Sequence, residues 1–171
     1  MNKAVFLDRD GTINIDLGYV HEKDKLEFIP GVLEALAEIQ AAGFKLIIIT
    51  NQSGIGRGYF TLEQYKDFEK FMLDQMAKKG VIVDGVYFCP HGPQEHCNCR
   101  KPSIWLYEQA ARDFNIDWKS SFVVGDSERD LAVCNIKDIQ GIFFSSIEKR
   151  SNNIISCNNW KEIMQYILRV V

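Results

Sequence analysis

The segment Lys45-Leu46-Ile47-Ile48-Ile49-Thr50 constrains the fold more than any other. A strand with one wet face alternates polar and apolar residues. An unbroken β-branched run such as this one belongs to a strand buried on both faces, as in parallel sheets covered by helices. Shorter apolar runs at 4–7, 85–88, 121–125 and 141–144 read as further strands. Between them lie segments of helical period. Val32, Leu33, Leu36 and Ile39 follow Pro30-Gly31 and stop at Gly43. Thr61 caps a helix running to Lys78, with Glu63 and Gln64 near the capping-box position. Residues 103–115 place Ile104, Leu106, Tyr107, Ala110, Ala111 and Phe114 at helical spacing, and 128–133 and 160–168 read as short helices. Strands that alternate with helices predict an α/β fold, a parallel sheet with helices on both faces. The 171 residues suit one domain, spanning 1–171. Residues 51–58 form a glycine-rich loop, 89–102 an irregular one, and 145–159, rich in Ser and Asn, is the least ordered-looking stretch.

Parallel α/β sheets bind ligands at the carboxyl ends of their strands. Asp8 and Asp10 follow the first strand, Thr50 and Asn51 end the second, Arg100 and Lys101 come after the third, and Asp126, then Asp130, follow the fourth. Groups far apart in sequence are therefore brought to one edge. Carboxylates gathered there repel one another unless a cation sits among them. Asp8, Asp10 and Asp126 offer hard oxygen ligands suited to Mg²⁺, which shares its shell with phosphate oxygens. Lys101 is a point charge for phosphate, and Thr50 and Asn51 add neutral donors. The set describes a phosphoryl site in which a carboxylate can be the nucleophile. With 20 Lys+Arg against 23 Asp+Glu, the net charge of −3 argues against a nucleic-acid partner. No apolar run is long enough for a membrane helix or a signal peptide, so the expectation is a cytoplasmic chain without a membrane partner.

Of five cysteines, Cys89, Cys97 and Cys99 fall together beside His91 and His96, while Cys134 and Cys157 stand apart. An odd count with this clustering speaks for a metal rather than a disulfide framework. Cys89-Pro90-His91 and Cys97-Asn98-Cys99 form CxH and CxC pairs, and a Cys₃His set closes a structural zinc site, here in a loop at 89–101.

Asp8-Arg9-Asp10-Gly11-Thr12, Thr50-Asn51-Gln52-Ser53-Gly54, Arg100-Lys101-Pro102 and Gly125-Asp126-Ser127-Glu128-Arg129-Asp130 resemble, in order, the motifs of the haloacid dehalogenase superfamily. The resemblance implies a Rossmann-like core and a phosphatase working through an aspartyl phosphate. Asp8 would be the nucleophile and Asp10 the general acid and base. Thr50 and Lys101 would hold the phosphoryl oxygens. Asp8, Asp126 and the backbone carbonyl of Asp10 would bind Mg²⁺, with Asp130 acting on it through water. A subfamily with a CPH…CxCRKP arrangement implies Zn²⁺ on Cys89, His91, Cys97 and Cys99, with His96 spare. About 20 residues between the first motif and Pro30 leave no room for a cap domain.

Two subfamilies share such a zinc loop. One removes the 7-phosphate of glycero-manno-heptose 1,7-bisphosphate, and the other hydrolyses histidinol phosphate. Asp16-Leu17-Gly18-Tyr19-Val20-His21 and Asn51-Gln52-Ser53-Gly54-Ile55-Gly56-Arg57-Gly58 resemble segments of the heptose type. The stretch from His91 to Cys97 is closer in length to the histidinol type. The heptose bisphosphate is the preferred substrate, a small phosphorylated sugar bound by a monomer. Asp16, Tyr19, His21, Asn51, Gln52, Ser53, Arg57 and Arg100 are the candidate substrate contacts, with Arg100 the main discriminator because its fork grips two oxygens at once. The non-enzymatic alternatives are a receiver-like phosphoacceptor domain and a zinc-stabilised interaction module.

Overall fold

Six parallel strands form one sheet in the order β3-β2-β1-β4-β5-β6. The computed structural model describes residues 1–147, 151 and 153–170. The strands are β1 (Ala4–Leu7), β2 (Lys45–Asn51), β3 (Gly85–Cys89), β4 (Phe122–Gly125), β5 (Gln140–Phe144) and β6 (Ile154–Cys157). The helices are α1 (Val32–Ala41), α2 (Ser53–Gly56), α3 (Leu62–Ala77), α4 (Trp105–Asp113) and α5 (Trp160–Val170). The doubly buried reading of the second strand holds, since Leu46 through Thr50 are all buried.

Alternate residues of each strand feed different cores. Val5, Leu7, Leu46, Ile48 and Val124 pack with α1, α3 and α5, where Leu36, Phe68, Met72 and Trp160 are buried. Ala4, Phe6, Ile47, Ile49 and Val123 pack with α4 through Leu106, Tyr107 and Ala110. Both faces are apolar, so the sheet is covered on each side, as the β-branched run demands. Thr61 closes the capping box at the start of α3: its hydroxyl accepts from Gln64 N at 3.1 Å, and Gln64 returns the bond to Thr61 N at 2.8 Å. Gln64, rather than Glu63, is the partner.

Three local features differ from the sequence expectation. The Ser- and Asn-rich stretch 145–159 holds a sixth strand, β6, pairing Ile154 and Ile155 with Gly141 and Ile142. Two isoleucines are too short a pattern to be read alone, and the open edge of β5 supplies the rest. Residues 148–150 and 152 lie outside the described residues. The expected helix at 128–133 is instead a 3₁₀ turn, Leu131–Asn135. The glycine-rich loop contains one helical turn, α2, sealed by Arg57 N to Ser53 O at 2.9 Å.

The chain runs β1, β2, β3 outward on one side, then crosses to β4 on the far side of β1. The two halves part between β1 and β4, the topological switch point where such sheets bind ligands. Among the described residues, the stretch between β1 and α1 holds a single 3₁₀ turn, Lys23–Lys25, and no separate cap is present.

Candidate active site

The switch point fixes the first two carboxylates. Asp8 N donates to Val124 O at 3.0 Å, which extends the β1–β4 ladder one residue and holds Asp8 beside the end of β4. Gly125 ends that strand and Asp126 follows. Gly11 has a φ of +84°, and a Cβ there would stand 2.1 Å from Asp126 Oδ2. The glycine of the first motif is thus required twice, by its backbone and by the carboxylate resting on it.

Lys101 joins the cluster from the far end of the irregular loop. Its Nζ donates to Asp8 Oδ1 at 2.7 Å and to Ile49 O at 2.7 Å, and it pairs with Asp130 Oδ1 at 2.7 Å. Burial works against the ammonium, but the charges of Asp8 and Asp130 outweigh it and hold the Lys101 pKa above its usual value. Asp130 is itself anchored: its Oδ2 accepts from Ser127 N at 3.0 Å and Ser127 Oγ at 2.7 Å. Asn51 lies beside Lys101. Its Oδ1 accepts from Lys101 N at 3.0 Å and its Nδ2 donates to Lys101 O at 3.2 Å, so it reads both sides of the lysine's backbone.

Asp10 is held on both of its oxygens by its own partners. Arg9 grips both of its oxygens, Nε to Oδ2 at 3.0 Å and Nη2 to Oδ1 at 2.8 Å. Asn14 Nδ2 and Gln52 Nε2 each add a bond of 3.0 Å. Gln52 also donates to Thr50 Oγ1 at 2.9 Å and is buried, so it ties the ends of β1 and β2 together. Sequence reasoning missed Arg9. It is 1% exposed, lies over Phe68 at 5.0 Å, and reaches Val20 O at 2.8 Å. A charged residue between two catalytic-type acids reads as solvated in sequence. Only the packing of α3 shows it buried.

The acids fit a divalent cation. Asp8, Asp126 and Asp130 each offer a carboxylate oxygen, and these lie within 4.8 Å of one another. Burial pushes the Asp8 carboxyl up to about 7, Lys101 opposing and Asp130 and Asp126 adding to the rise. Burial, then the charge of Asp130, pushes Asp126 up to about 6. Charge is therefore wanting at this point even with Lys101 in place, and a hard cation supplies it. Because both Asp130 oxygens already have partners, Asp8 and Asp126 have the freer ligand atoms.

The cysteine loop gathers a Cys₃His donor set suited to zinc, with three of four separations near tetrahedral edges and Cys89–Cys99 shorter. Cys89 Sγ lies 3.0 Å from Cys99 Sγ and 3.7 Å from Cys97 Sγ. His91 Nδ1 lies 3.3 Å from Cys99 Sγ and 3.5 Å from Cys89 Sγ. A tetrahedron with Zn–S of about 2.3 Å and Zn–N of about 2.05 Å has S–S edges of about 3.7 Å and N–S edges of about 3.5 Å. His96 is exposed and outside this group. The loop carries no helix or strand between β3 and α4. Its backbone instead braces the neighbouring loop, with Gln52 N to Cys89 O at 2.7 Å and Gly56 N to Pro90 O at 2.8 Å.

A cleft of about 410 Å³ opens above these groups. Asp8, Asp10, Asp16, Tyr19, Thr50, Asn51, Gln52, Ser53, Arg57, Arg100, Lys101 and Asp126 line it, as the sequence reading expects. His21 does not. Its ring stacks on Phe60 with centroids 4.4 Å apart, and its Nδ1 lies 2.7 Å from Tyr19 O, so it packs and braces the loop. Arg129, Ser127 and Gly18 are additional lining residues. Arg129 stands within the fourth motif, and that proximity is the one signal by which sequence could have suggested it. With Arg57, Arg100 and Lys101 it makes four cationic side chains around a cleft holding one buried phosphate-type lysine.

Comparison with known proteins agrees with this geometry. A family model described as haloacid dehalogenase-like hydrolase matches residues 14–135. The D-glycero-beta-D-manno-heptose-1,7-bisphosphate 7-phosphatase of Helicobacter pylori is 44% identical over 169 residues, covering 97% of each chain. The enzyme of the same name from Haemophilus ducreyi is 49% identical over 138 residues, 75% of each chain. The crystal structure of D,D-heptose 1.7-bisphosphate phosphatase from B. bronchiseptica, complexed with magnesium and phosphate, superposes with a TM-score of 0.87 at 28% identity, covering 99% of each chain.

Proposed function

The chain belongs to the haloacid dehalogenase-like hydrolase family, and we propose that it removes the 7-phosphate of D-glycero-D-manno-heptose 1,7-bisphosphate. The observation that carries the reaction type is the buried Lys101 held at 2.7 Å between Asp8 and Asp130 at the switch point. The names of the 43–49% identical relatives support the substrate, and most of those names specify the beta anomer.

Asp8 attacks phosphorus, and the bond to the sugar C7 oxygen breaks as an aspartyl phosphate forms. Asp10, aimed by Arg9, Asn14 and Gln52, gives a proton to the departing oxygen. It then takes a proton from the water that attacks the aspartyl phosphate, and inorganic phosphate leaves with Asp8 restored. Lys101 and Thr50 hold the transferring phosphoryl oxygens as negative charge spreads over them. Asp8, Asp126 and the Asp10 carbonyl would hold Mg²⁺, which when bound would supply positive charge to offset that of the phosphoryl group. Cys89, His91, Cys97 and Cys99 would hold Zn²⁺, which would tie the loop that carries Arg100 and Lys101. Arg57, Arg100 and Arg129 face the rest of the substrate, with Asp16, Tyr19, Asn51, Gln52 and Ser53, while His21 braces these contacts from behind. The reading is of one uncapped domain acting as a cytoplasmic monomer on nucleotide-heptose precursors for lipopolysaccharide or capsule.

The test is Asp8→Asn together with a substrate panel. Asp8→Asn should fold and lose phosphate release from p-nitrophenyl phosphate; wild-type-like rates would sink the mechanism. Wild-type kcat/KM should be highest for a heptose bisphosphate. A higher value for histidinol phosphate reassigns the substrate, a possibility kept open by the short stretch between His91 and Cys97. Stable phosphorylation of the chain without turnover would favour a receiver.

A further inference from the structure

An uncapped cleft must hold its substrate with loops, and here two consecutive aromatic residues outside the cleft hold one of those loops. The loop at 16–21 supplies Asp16 and Tyr19 to the cleft lining. It has no helix or strand of its own. Gly18 and Tyr19 both have positive φ, 79° and 53°, and for tyrosine that region is disfavoured. The internal brace is slight: Gly18 N donates to Asp16 Oδ1 at 2.9 Å, and His21 Nδ1 meets Tyr19 O at 2.7 Å. Val20 anchors one end of the loop, buried in the core with its carbonyl accepting from Arg9 Nη2 at 2.8 Å, but the part carrying Asp16 and Tyr19 lacks such an anchor and opens readily unless something outside it contributes.

Tyr59 and Phe60 make that contribution. The Tyr19 ring meets the Tyr59 ring edge-on, with centroids 4.8 Å apart and planes at 81°. Two residues along, His21 lies flat on Phe60 at 4.4 Å and 18°. Local backbone makes the grip possible. The α2 turn is followed by Gly58 at a φ of +73°, and Tyr59 N donates back to Gly54 O at 2.9 Å. That reversal turns Tyr59 and Phe60 toward the 16–21 loop. Phe60 is seated only because residue 54 is glycine, where a Cβ would stand 2.2 Å from its ring. Tyr59 is different in kind. It is 56% exposed and absent from the cleft lining, so its ring is not there to fill the core.

We propose that Tyr59 and Phe60 are positioning residues for substrate binding: an aromatic clamp that ties the 16–21 loop to the 53–58 loop and holds Asp16 and Tyr19 over the cleft. Neither ring takes part in phosphoryl transfer. Their effect falls on the part of a sugar phosphate remote from the reacting phosphorus, so a substrate lacking that part does not register it. The kinetic consequence rests on the sugar-bisphosphate reading above, whereas the loop consequence does not.

Tyr59→Ala and Tyr59→Phe in the full chain test the clamp. Truncating an exposed ring leaves the fold intact, and only the ring, not the hydroxyl, is required. In Tyr59→Ala, amide hydrogen exchange over 16–21 should accelerate. KM for the heptose bisphosphate should rise about 2- to 10-fold, the population factor an edge-to-face aromatic pair supplies, with kcat nearly unchanged. Turnover of p-nitrophenyl phosphate should stay at the wild-type level, and Tyr59→Phe should restore exchange and KM. Unchanged exchange over 16–21 in Tyr59→Ala overturns the clamp whatever the kinetics. Faster exchange with an unchanged KM overturns its role in binding. If the heptose bisphosphate proves not to be a substrate, the exchange measurement still decides the clamp, so the two failures are separable.

Discussion

Replacing Lys101 by Met separates what this lysine does for stability from what it does for chemistry. Lys101 is 2% exposed and meets three oxygens at 2.7 Å, those of Asp8, Asp130 and Ile49. Methionine fills similar volume but leaves two buried carboxylates facing each other without a cation. Breaking a buried pair by removing one partner costs about 3–5 kcal/mol. For a chain of this size 1 kcal/mol moves Tm by about 2–4 °C, so the fall should be on the order of 6–20 °C. The loss must also depend on pH. The Asp8 carboxyl stands at about 7 in the fold against 3.8 in an open chain, with Lys101 holding it down against burial. Without Lys101 it rises further. A raised carboxyl penalises the folded state as pH climbs above the open-chain value, since the open chain ionises first. Both proteins keep Asp8 protonated in the fold below about pH 7, so in Lys101→Met the extra penalty is small up to pH 7 and grows above it. Urea unfolding of both proteins at pH 5 and pH 8, without Mg²⁺, reads this directly. A loss of equal size at both pH values, or none at either, refutes the account of the pair. In activity, loss of the phosphoryl contact should lower kcat about 10²- to 10³-fold.

Three further expectations follow from the site. Asp8 and Asp126 are both raised, to about 7 and about 6, so the metal-free protein loses stability as pH rises from about 4 through 7. Mg²⁺ relieves that penalty, and its gain in Tm should be larger at pH 8 than at pH 5; an equal gain would argue against Asp8 and Asp126 as the ligands. Protein prepared without chelator should contain about one zinc per chain by elemental analysis, and stripping it should lower Tm together with activity; a zinc-free preparation with an unchanged melt rules the site out. Gly11→Ala should cost about 1–3 kcal/mol for the left-handed backbone and push Asp126 aside, since the added Cβ stands 2.1 Å from its Oδ2. Its signature is a raised Mg²⁺ requirement in a titration of activity, and an unshifted requirement would show that Asp126 does not bind the metal.

Much of the site was legible because phosphoryl chemistry needs particular residue types at strand ends, and strand ends are readable. Lys45 to Thr50 could only be a doubly buried strand, and the acids after β1 and β4 then had to share one edge. That Cys89, His91, Cys97 and Cys99 gather in space was legible for a similar reason, since paired Cys and His at short spacing are the donor types a metal needs. Residues whose roles come from packing were not. Asn51 and Gln52 line the cleft as expected, but their hydrogen bonds to the Lys101 backbone and to Asp10 and Thr50 were not legible. His21 looked like a sugar contact and is stacked on Phe60.

The sequence by itself determined a parallel α/β sheet, its first five strands, and the gathering of Asp8, Asp10, Lys101 and Asp126 at one edge. These depend on local periodicity and on residue type, which one chain carries in full. Tertiary structure alone decided that Arg9 is buried against Phe68 and aims Asp10, that Ile154 and Ile155 form β6 on the edge of β5, and that Tyr59 meets Tyr19 beside the cleft. Each of these pairs residues from different elements. Which residues meet there depends on how elements stack, a choice made by burial summed over the whole sheet and not by any segment of it.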